Sequence, residues 1–530
     1  MTAAGELFTM VTGLFAPLLG FLLVSICVLV LLVAIVLGAV FLCLVATAVL
    51  LSRFKGKQRQ ADDGERTAKS WNHERLTTLL RSGKHTMPCG IVNVDVFDRN
   101  TDYFMQVAAS HGKRLRIATK SVRVPELVRR AAERHPDTVI GVMCFSVAEV
   151  ALYAVHASTR NILLAYPLVQ PAELQQLWQA GMVQRQAVLT QMVDCGEHVR
   201  LIGMCWLQNA HRTLQEQVYR PVMARLCIDV DVAFAPLPIV YIGSHRSPCR
   251  TPGDIDDILN QVAAVNSCWE AVWKDGVAPT ASLLAQHAVR MKAMPWSEKT
   301  SLLRGPLVTV TSVMGYEAHI AGVPDASGWT PARNIAVRFM KWWSVGDVKH
   351  KRAELCAHLQ ERGIDLEFVN GGGTGSILST IQDERVTEVA VGSGLLQSHI
   401  FDFFTENSAE PALVFALAVT RKSHTCGSEI VTCQSGGFIA SGEVGRDKTP
   451  SVFLPSGYRE FSTEGFGEVQ TPLCKLSPSA PSLSVGDYVF LRPAKAGEIA
   501  ERFSKYLLVH DNEDGVEEAL TYRGLAITAY

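Results

Sequence analysis

The chain has 530 residues, too many for one ordinary hydrophobic core, so two to four domains are expected. A formal net charge of -1 excludes the basic excess by which a chain binds nucleic acid. Thirteen cysteines are scattered without CxxC pairs or His–Cys zinc spacing, several of them in apolar runs as Cys144 and Cys227 are, and they read as reduced core thiols on a cytosolic face.

In chain order, the first feature is apolar. No charged residue occurs from 7 to 51, and at about 1.5 Å per residue one helix of that length would reach roughly 68 Å, against a hydrocarbon core of ~30 Å. This predicts a transmembrane anchor over 1–55, either as one long helix or as a hairpin of two spans interrupted at Gly13, Pro17, Gly20 and Gly38. Arg53, Lys55, Lys57 and Arg59 follow the run, whereas only Glu6 precedes it. The positive-inside rule then places the catalytic region on the cytoplasmic side of a membrane. Residues 56–85 are polar and of mixed charge, a linker leading into a short helix.

From 86 to 386 short strand-like runs alternate with amphipathic stretches. Eight strands are predicted, at 91–96, 115–120, 138–145, 161–167, 199–205, 225–232, 307–314 and 365–370. Helical patterns separate them, clearest at 124–135, 147–157 and 251–269, with Asp254, Asp256 and Asp257 favouring the first turn of the last. Eight βα units match an α/β fold of the (β/α)8 TIM-barrel type, with 270–304 as an insertion. In such a barrel, reactive residues collect at the carboxyl ends of the strands. Lys120 ends the second strand and is followed by Ser121 and by a helix led by Pro125. A desolvated lysine there can lose its proton and act as the amine of a Schiff base. Tyr166 ends the fourth strand, Asp229 and Asp231 lie in the sixth, and Tyr316 and His319 follow the seventh. The last strand runs into Gly371, Gly372, Gly373, Thr374 and Gly375, whose unhindered backbone N–H groups suit a phosphate. From 387 to 530 helical periodicity fades, and short apolar runs between Gly, Pro and Ser turns predict a β-rich C-terminal domain.

These residues carry a resemblance. VNVDVFDRN at Val92, RLRIATKSVRVP at Arg114, CFSVAEV at Cys144, NILLAYPLV at Asn161, MGYEAHIAG at Met314, FVNGGGTGS at Phe368 and VGDYVFLRPAKAGEIAERF at Val485 occur in this order. From about residue 86 onward the chain resembles the fold-type III pyridoxal-phosphate enzymes. The barrel is similar to the alanine racemase N-terminal domain and the C-terminal domain to that of D-threonine aldolase and D-serine dehydratase; the nearest group is that of amino acid deaminase/aldolase. The resemblance implies pyridoxal 5'-phosphate as cofactor, Lys120 as the lysine that binds it, 371–375 as its phosphate cup, and Tyr166 and Tyr316 beside it. Arg246 resembles the arginine facing the pyridine nitrogen, which would leave that nitrogen unprotonated. The resemblance also implies a homodimer and a small amino acid substrate.

The chain departs from the pattern where the relatives carry a metal site built on a His-x-Cys or His-x-Asp segment. Here the matching stretch at 492–498 offers only Glu498, so Lys495 is a candidate to polarise the substrate's β-hydroxyl in place of an ion; His510 leaves a divalent metal open. His319 is the candidate base. The function expected is a membrane-anchored pyridoxal-phosphate lyase, aldolase or dehydratase/deaminase, for small D- or β-hydroxy amino acids. A racemase, with Tyr458 or Tyr488 as second base, and a cofactor-binding protein without turnover stand as alternatives.

Overall fold

In the computed structural model, the residues described are 71–527 apart from 185, 217–221, 238, 328–330, 407–408, 426, 444 and 512–514. Eight parallel strands close a barrel, in the spatial order β10-β11-β2-β3-β4-β5-β6-β9. They are β2 (Arg114–Ala118), β3 (Val139–Cys144), β4 (Asn161–Leu164), β5 (Val188–Val193), β6 (Ala224–Asp229), β9 (Val308–Gly315), β10 (Phe368–Gly371) and β11 (Glu388–Val391). Before them comes β1 (Cys89–Asn93), and β7 (Phe234–Leu237) with β8 (Val240–Ile242) forms a hairpin between β6 and β9.

Side-chain alternation builds two cores. Met143, Leu163, Met192, Cys227 and Met314 fill the inside of the barrel, while their neighbours Val142, Ile162, Val193, Ile228 and Val313 face the surrounding helices. Each such side chain contributes about 1.5–3 kcal/mol of burial. One interior layer is polar. Arg116 Nε and Nη2 donate to the two carboxylate oxygens of Glu388 at 2.9 and 3.0 Å, and its Nη1 donates to Asn161 Oδ1 at 3.0 Å. Asn370 Nδ2 donates to Glu388 Oε1 at 2.8 Å, so the carboxylate is paired and hydrogen-bonded, as a buried charge must be. Gly141 lets the backbones meet there, since a Cβ on it would lie 1.9 Å from Asn161 O.

Strand positions differ from expectation at three places. The 91–96 run stops at Asn93, whose side chain accepts from Val96 N and starts helix Val94–Ala109; β1 joins the C-terminal sheet instead of the barrel. The 199–205 run lies inside helix Gly196–Gln215, whose buried residues Val199, Ile202, Gly203, Trp206, Leu207 and Ala210 follow helical spacing. The fifth strand is β5, and the barrel closes through the four-residue β11, beyond residue 386.

The second sheet contains β1, β12 (Leu413–Thr425), β13 (Ser428–Gln434), β14 (Ser451–Leu454), β15 (Tyr458–Glu460), β16 (Gln470–Lys475), β17 (Tyr488–Arg492), β18 (Lys505–Val509) and β19 (Val516–Leu520). β1 pairs antiparallel with β12 and parallel with β18. Helix His73–Arg81 covers this sheet through Leu76 and Leu80, and Trp71 Nε1 donates to Pro411 O at 2.7 Å.

Among the described residues no helix is long and apolar enough to cross a membrane. That corrects the expected transmembrane segment, and with it the membrane-anchored function, the membrane partner and the cytoplasm-facing membrane location; residues 1–55 themselves lie outside those described. A charge-free run shows what a segment is able to bury, not what covers it. The longest described helix, Pro331–Glu361, carries Arg338, Lys341, Asp347, Lys351 and Arg352.

Candidate active site

At the end of β2 the chain tightens into a short 3-10 turn, Thr119–Ser121, that presents Lys120 at the carboxyl mouth of the barrel. Arg123 then takes a left-handed conformation, φ 53°, before Pro125 opens helix Pro125–Arg134. That backbone is unfavourable for arginine, and the buried side chain is what holds it: Nε donates to Lys120 O at 2.9 Å and Nη1 to Glu501 at 2.7 Å. Lys120 Nζ stands 4.3 Å from the centre of the Phe145 ring. Desolvation, then the positive charges of Arg246, Arg123 and Lys495, push its ammonium down to about 8, against a smaller opposing pull from Glu149.

The turn is fixed from both domains. Glu149, fully buried, accepts from Thr119 Oγ1 at 2.6 Å and from the N–H groups of Phe145 and Ser146 at 2.7 and 3.0 Å. The phenol of Tyr522, from the C-terminal end, donates to the same carboxylate at 2.8 Å, and Tyr522 N donates to Arg123 O at 3.0 Å. Helix Ala496–Ala500 packs on the turn at Gly497, where a Cβ would lie 1.8 Å from Lys120 O.

The glycine-rich loop follows β10. A Cβ on Gly375 would stand 2.3 Å from Ala321 O, so a side chain is excluded there, and one on Gly373 would stand a tight 3.2 Å from the Tyr316 ring; Gly372 has φ 81°. Gly372 N donates to Glu317 Oε2 at 3.2 Å and Gly373 N to Ser376 Oγ at 3.1 Å. The amides of Thr374 and Gly375 have no partner among the described residues, and two adjacent free N–H groups are what an anion needs. Beneath the loop lies a buried ion cluster. Arg352 donates to Glu317, to Gly315 O at 2.6 Å and to Asp383 at 3.0 Å, and Ser376 and Thr380 hydroxyls donate to Glu317. Burial raises the Glu317 carboxyl, but Arg352 and these hydrogen bonds more than offset it, so it stays below its ordinary value. The loop and the Lys120 turn meet through the chain after β11: Gly394 N donates to Thr374 Oγ1 at 3.0 Å, and a Cβ on Gly392 would lie 2.5 Å from Ala118 O.

Other expected residues are placed as follows. Arg246 lies 3.7 Å from Asp229 Oδ2, with its guanidinium carbon 5.4 Å from the centre of the partly buried Tyr316 ring. Burial raises the Asp229 carboxyl to about 7, against the pull of Arg246. Tyr166 follows β4 but stands 63% exposed. His319, on the single-turn helix Ala318–Ala321, is buried, and neither ring nitrogen has a hydrogen-bond partner among the described residues; desolvation holds it down to about 4. Lys495 donates to Ser441 O, Ser441 Oγ and Glu498 Oε1, each at 2.8 Å, so its three protons are already engaged. Glu498 is paired with Lys495 at 2.8 Å, and His510 lies against Asp95 at 3.3 Å.

Sequence reasoning missed Glu149, Glu317, Arg352, Asp383 and Tyr522. Only Glu149 carried a signal, as the last residue of the Ser146-x-x-Glu149 capping box that opens helix Val147–Tyr153.

No protein-family model and no curated protein matches the chain. Solved structures do. D-threonine aldolase from Filomicrobium marinum superposes with a TM-score of 0.59 at 17% identity, covering 84% of this chain and 96% of that one. D-threo-3-hydroxyaspartate dehydratase from Delftia sp. HT23 gives 0.57 at 15% identity, covering 83% and 98%. An alanine racemase-like protein from Idiomarina loihiensis gives 0.54 at 13% identity, covering 83% and 97%. The barrel, the sheet that follows it and these likenesses together give the chain the fold of the fold-type III pyridoxal-phosphate enzymes, an alanine-racemase-like barrel joined to a C-terminal domain of the D-threonine-aldolase and D-serine-dehydratase kind.

Proposed function

We propose that the chain is a pyridoxal-phosphate-dependent enzyme and, within that class, a lyase that cleaves or dehydrates a small D- or β-hydroxy amino acid. The observation that carries the reading is Lys120, a desolvated lysine at the barrel mouth whose ammonium is lowered to about 8. At pH 7.5 about one molecule in four would hold it as the neutral amine, against about one in a thousand for an ordinary lysine. The cofactor fits the residues present: Lys120 for its carbonyl, the free amides of Thr374 and Gly375 for its phosphate, and Tyr316 and Arg246 alongside. When bound, pyridoxal phosphate supplies a carbonyl to condense with amines and a conjugated ring that takes up the electrons left at Cα.

The chain's own groups divide the remaining work. The free Lys120 amine would accept a proton with an affinity matched to neutral pH. His319 is neutral at that pH but a weak acceptor, since its imidazolium is held near 4. A substrate anion drawn close to it would raise its proton affinity. Arg246 offers such an anion its charge whenever Asp229 is protonated, that is, below about pH 7. Glu149 and Tyr522 orient the Lys120 turn, and helix Ala496–Ala500 closes over it.

D-threonine and D-threo-3-hydroxyaspartate, by which the similar aldolase and dehydratase are named, are both hydroxy amino acids. A racemase would need a second base. The Tyr458 phenol lies 3.0 Å from Glu429 Oε1 and 2.9 Å from Pro481 O, which commits it to the C-terminal domain's own packing. The contacts of Gly497 and Tyr522 with the Lys120 turn support a catalytic role over simple cofactor carriage. Incubating the cofactor-loaded protein with D-threonine and with D-threo-3-hydroxyaspartate tests the reading. Glycine plus an aldehyde, or ammonia plus an oxoacid, is expected. The Cα epimer as sole product would make it a racemase, and no product from these or other small hydroxy amino acids would remove the lyase.

A further inference from the structure

We infer that Asp194, Cys195 and His198 form a binding site for a divalent metal ion of the zinc type, at the carboxyl end of β5. Strand β5 ends at Val193, and the next two residues lead straight into helix Gly196–Gln215 with Cys195 at its N-cap. His198 sits one turn on from Asp194, so the helix folds its ring back until Nδ1 is 3.0 Å from Asp194 Oδ1. One ligand atom from each of the three residues, a carboxylate oxygen, the thiol sulfur and a ring nitrogen, lies within 4.8 Å of the others. This is the His/Cys/Asp/Glu cluster with ligand spacing among the described residues. Around a tetrahedral ion with Zn–S of about 2.3 Å and Zn–N or Zn–O of about 2.0–2.1 Å, neighbouring donors stand roughly 3.3–3.6 Å apart, a small side-chain rotation from this geometry.

The cysteine makes the cluster more than an ion pair at a helix start. Ser, Thr, Asp or Asn at an N-cap stabilises the helix by accepting from its free N–H groups, whereas a thiol accepts poorly. Cys195 makes no regular capping hydrogen bond, but its sulfur lies beside the N–H groups of Glu197 and His198 and the Asp194 side chain, which places it inside the cluster. The three side chains are half-buried, with Asp194 and His198 at 12% and 17% exposure, which leaves an opening on one side of a protected cluster. Sulfur with nitrogen and one carboxylate suits a borderline ion such as Zn2+ and disfavours Mg2+ and Ca2+, which require mostly oxygen ligands. Binding exchanges the Cys195 thiol proton for the ion and releases that proton to solvent. Three protein ligands leave a fourth position for water. The cluster lies at the same end of the barrel as Lys120 and close enough to Asp229 for the Asp194 charge to act on it.

Co2+ is the probe, because thiolate ligation gives a sulfur-to-cobalt charge-transfer band in the near ultraviolet. The full chain, reduced, stripped with chelator and free of pyridoxal phosphate, is titrated with Co2+ alone. The band is expected to saturate near one equivalent and to be displaced by Zn2+. Cys195→Ser is expected to abolish it, His198→Ala to weaken Co2+ binding at least tenfold, and Cys474→Ser to leave it unchanged. If Cys195→Ser fails to fold, His198→Ala decides alone. No band in the wild type, a band undiminished in Cys195→Ser, or unaltered affinity in His198→Ala would each overturn the site.

Discussion

Replacing Arg352 by methionine would leave two buried carboxylates without their cation. Arg352 is 1% exposed, and its guanidinium joins Glu317, Asp383 and the carbonyl of Gly315, the last residue of β9. Glu317 in turn holds the N–H of Gly372 and the hydroxyls of Ser376 and Thr380, so this one side chain fixes the floor of the glycine-rich loop. Removing one partner of a buried ion pair costs about 3–5 kcal/mol, or roughly two to three and a half orders of magnitude in the folding equilibrium. Glu317→Gln combined with Arg352→Met removes one carboxylate with its guanidinium and is expected to recover part of the loss, which a double-mutant cycle reads directly. Urea denaturation measures it as a lower midpoint at unchanged slope. Inorganic phosphate, titrated by calorimetry, should also bind less tightly to Arg352→Met, because the loop amides lose their support. If Arg352→Met unfolds within about 1 kcal/mol of the wild type, the ion cluster does not hold the loop, and the reasoning fails.

Lys120 should titrate with a midpoint near 8, read as the pH dependence of its acylation, and Arg246→Gln should move that midpoint upward without restoring the ordinary 10.5, since desolvation remains. Because the folded pKa lies below the unfolded one, the desolvated ammonium destabilises the fold fully below about 8 and ceases to do so by about 10.5, so wild-type stability gains on Lys120→Met as pH rises through that window. Gly375→Ala places a Cβ 2.3 Å from Ala321 O and should weaken phosphate binding at least tenfold; unchanged binding would show that the loop has room to shift. Tyr522→Phe removes a donor from buried Glu149 and should cost about 1–3 kcal/mol in urea, with no loss expected only if the phenol is dispensable to that carboxylate.

What could be read in the sequence was local. A strand handing over to a proline-led helix marks Lys120 within a few residues, and three consecutive glycines mark a tight loop with a left-handed turn at Gly372. The barrel was legible as a count of alternations, yet its membership was not. Residues 199–205 are apolar in a pattern that serves either period, and only the helical spacing continued to Ala210 identifies the helix. Strand β11 is four residues long, too short to stand out, and is fixed by its pairing with β10 and β2. Glu317, Arg352 and Asp383 come together from separate stretches of chain, which periodicity does not report. His319 was expected as a base from its position; its weak proton affinity comes from burial, a tertiary property.

The most direct test of the central claim is covalent. The full chain and its Lys120→Ala variant are each incubated with pyridoxal phosphate, reduced with borohydride, digested and mapped by mass spectrometry. A pyridoxyl group fixed on Lys120 in the wild type, at one per chain and absent from the variant, is the result this account predicts. Scattered labelling of exposed lysines, equal in both proteins, would contradict it.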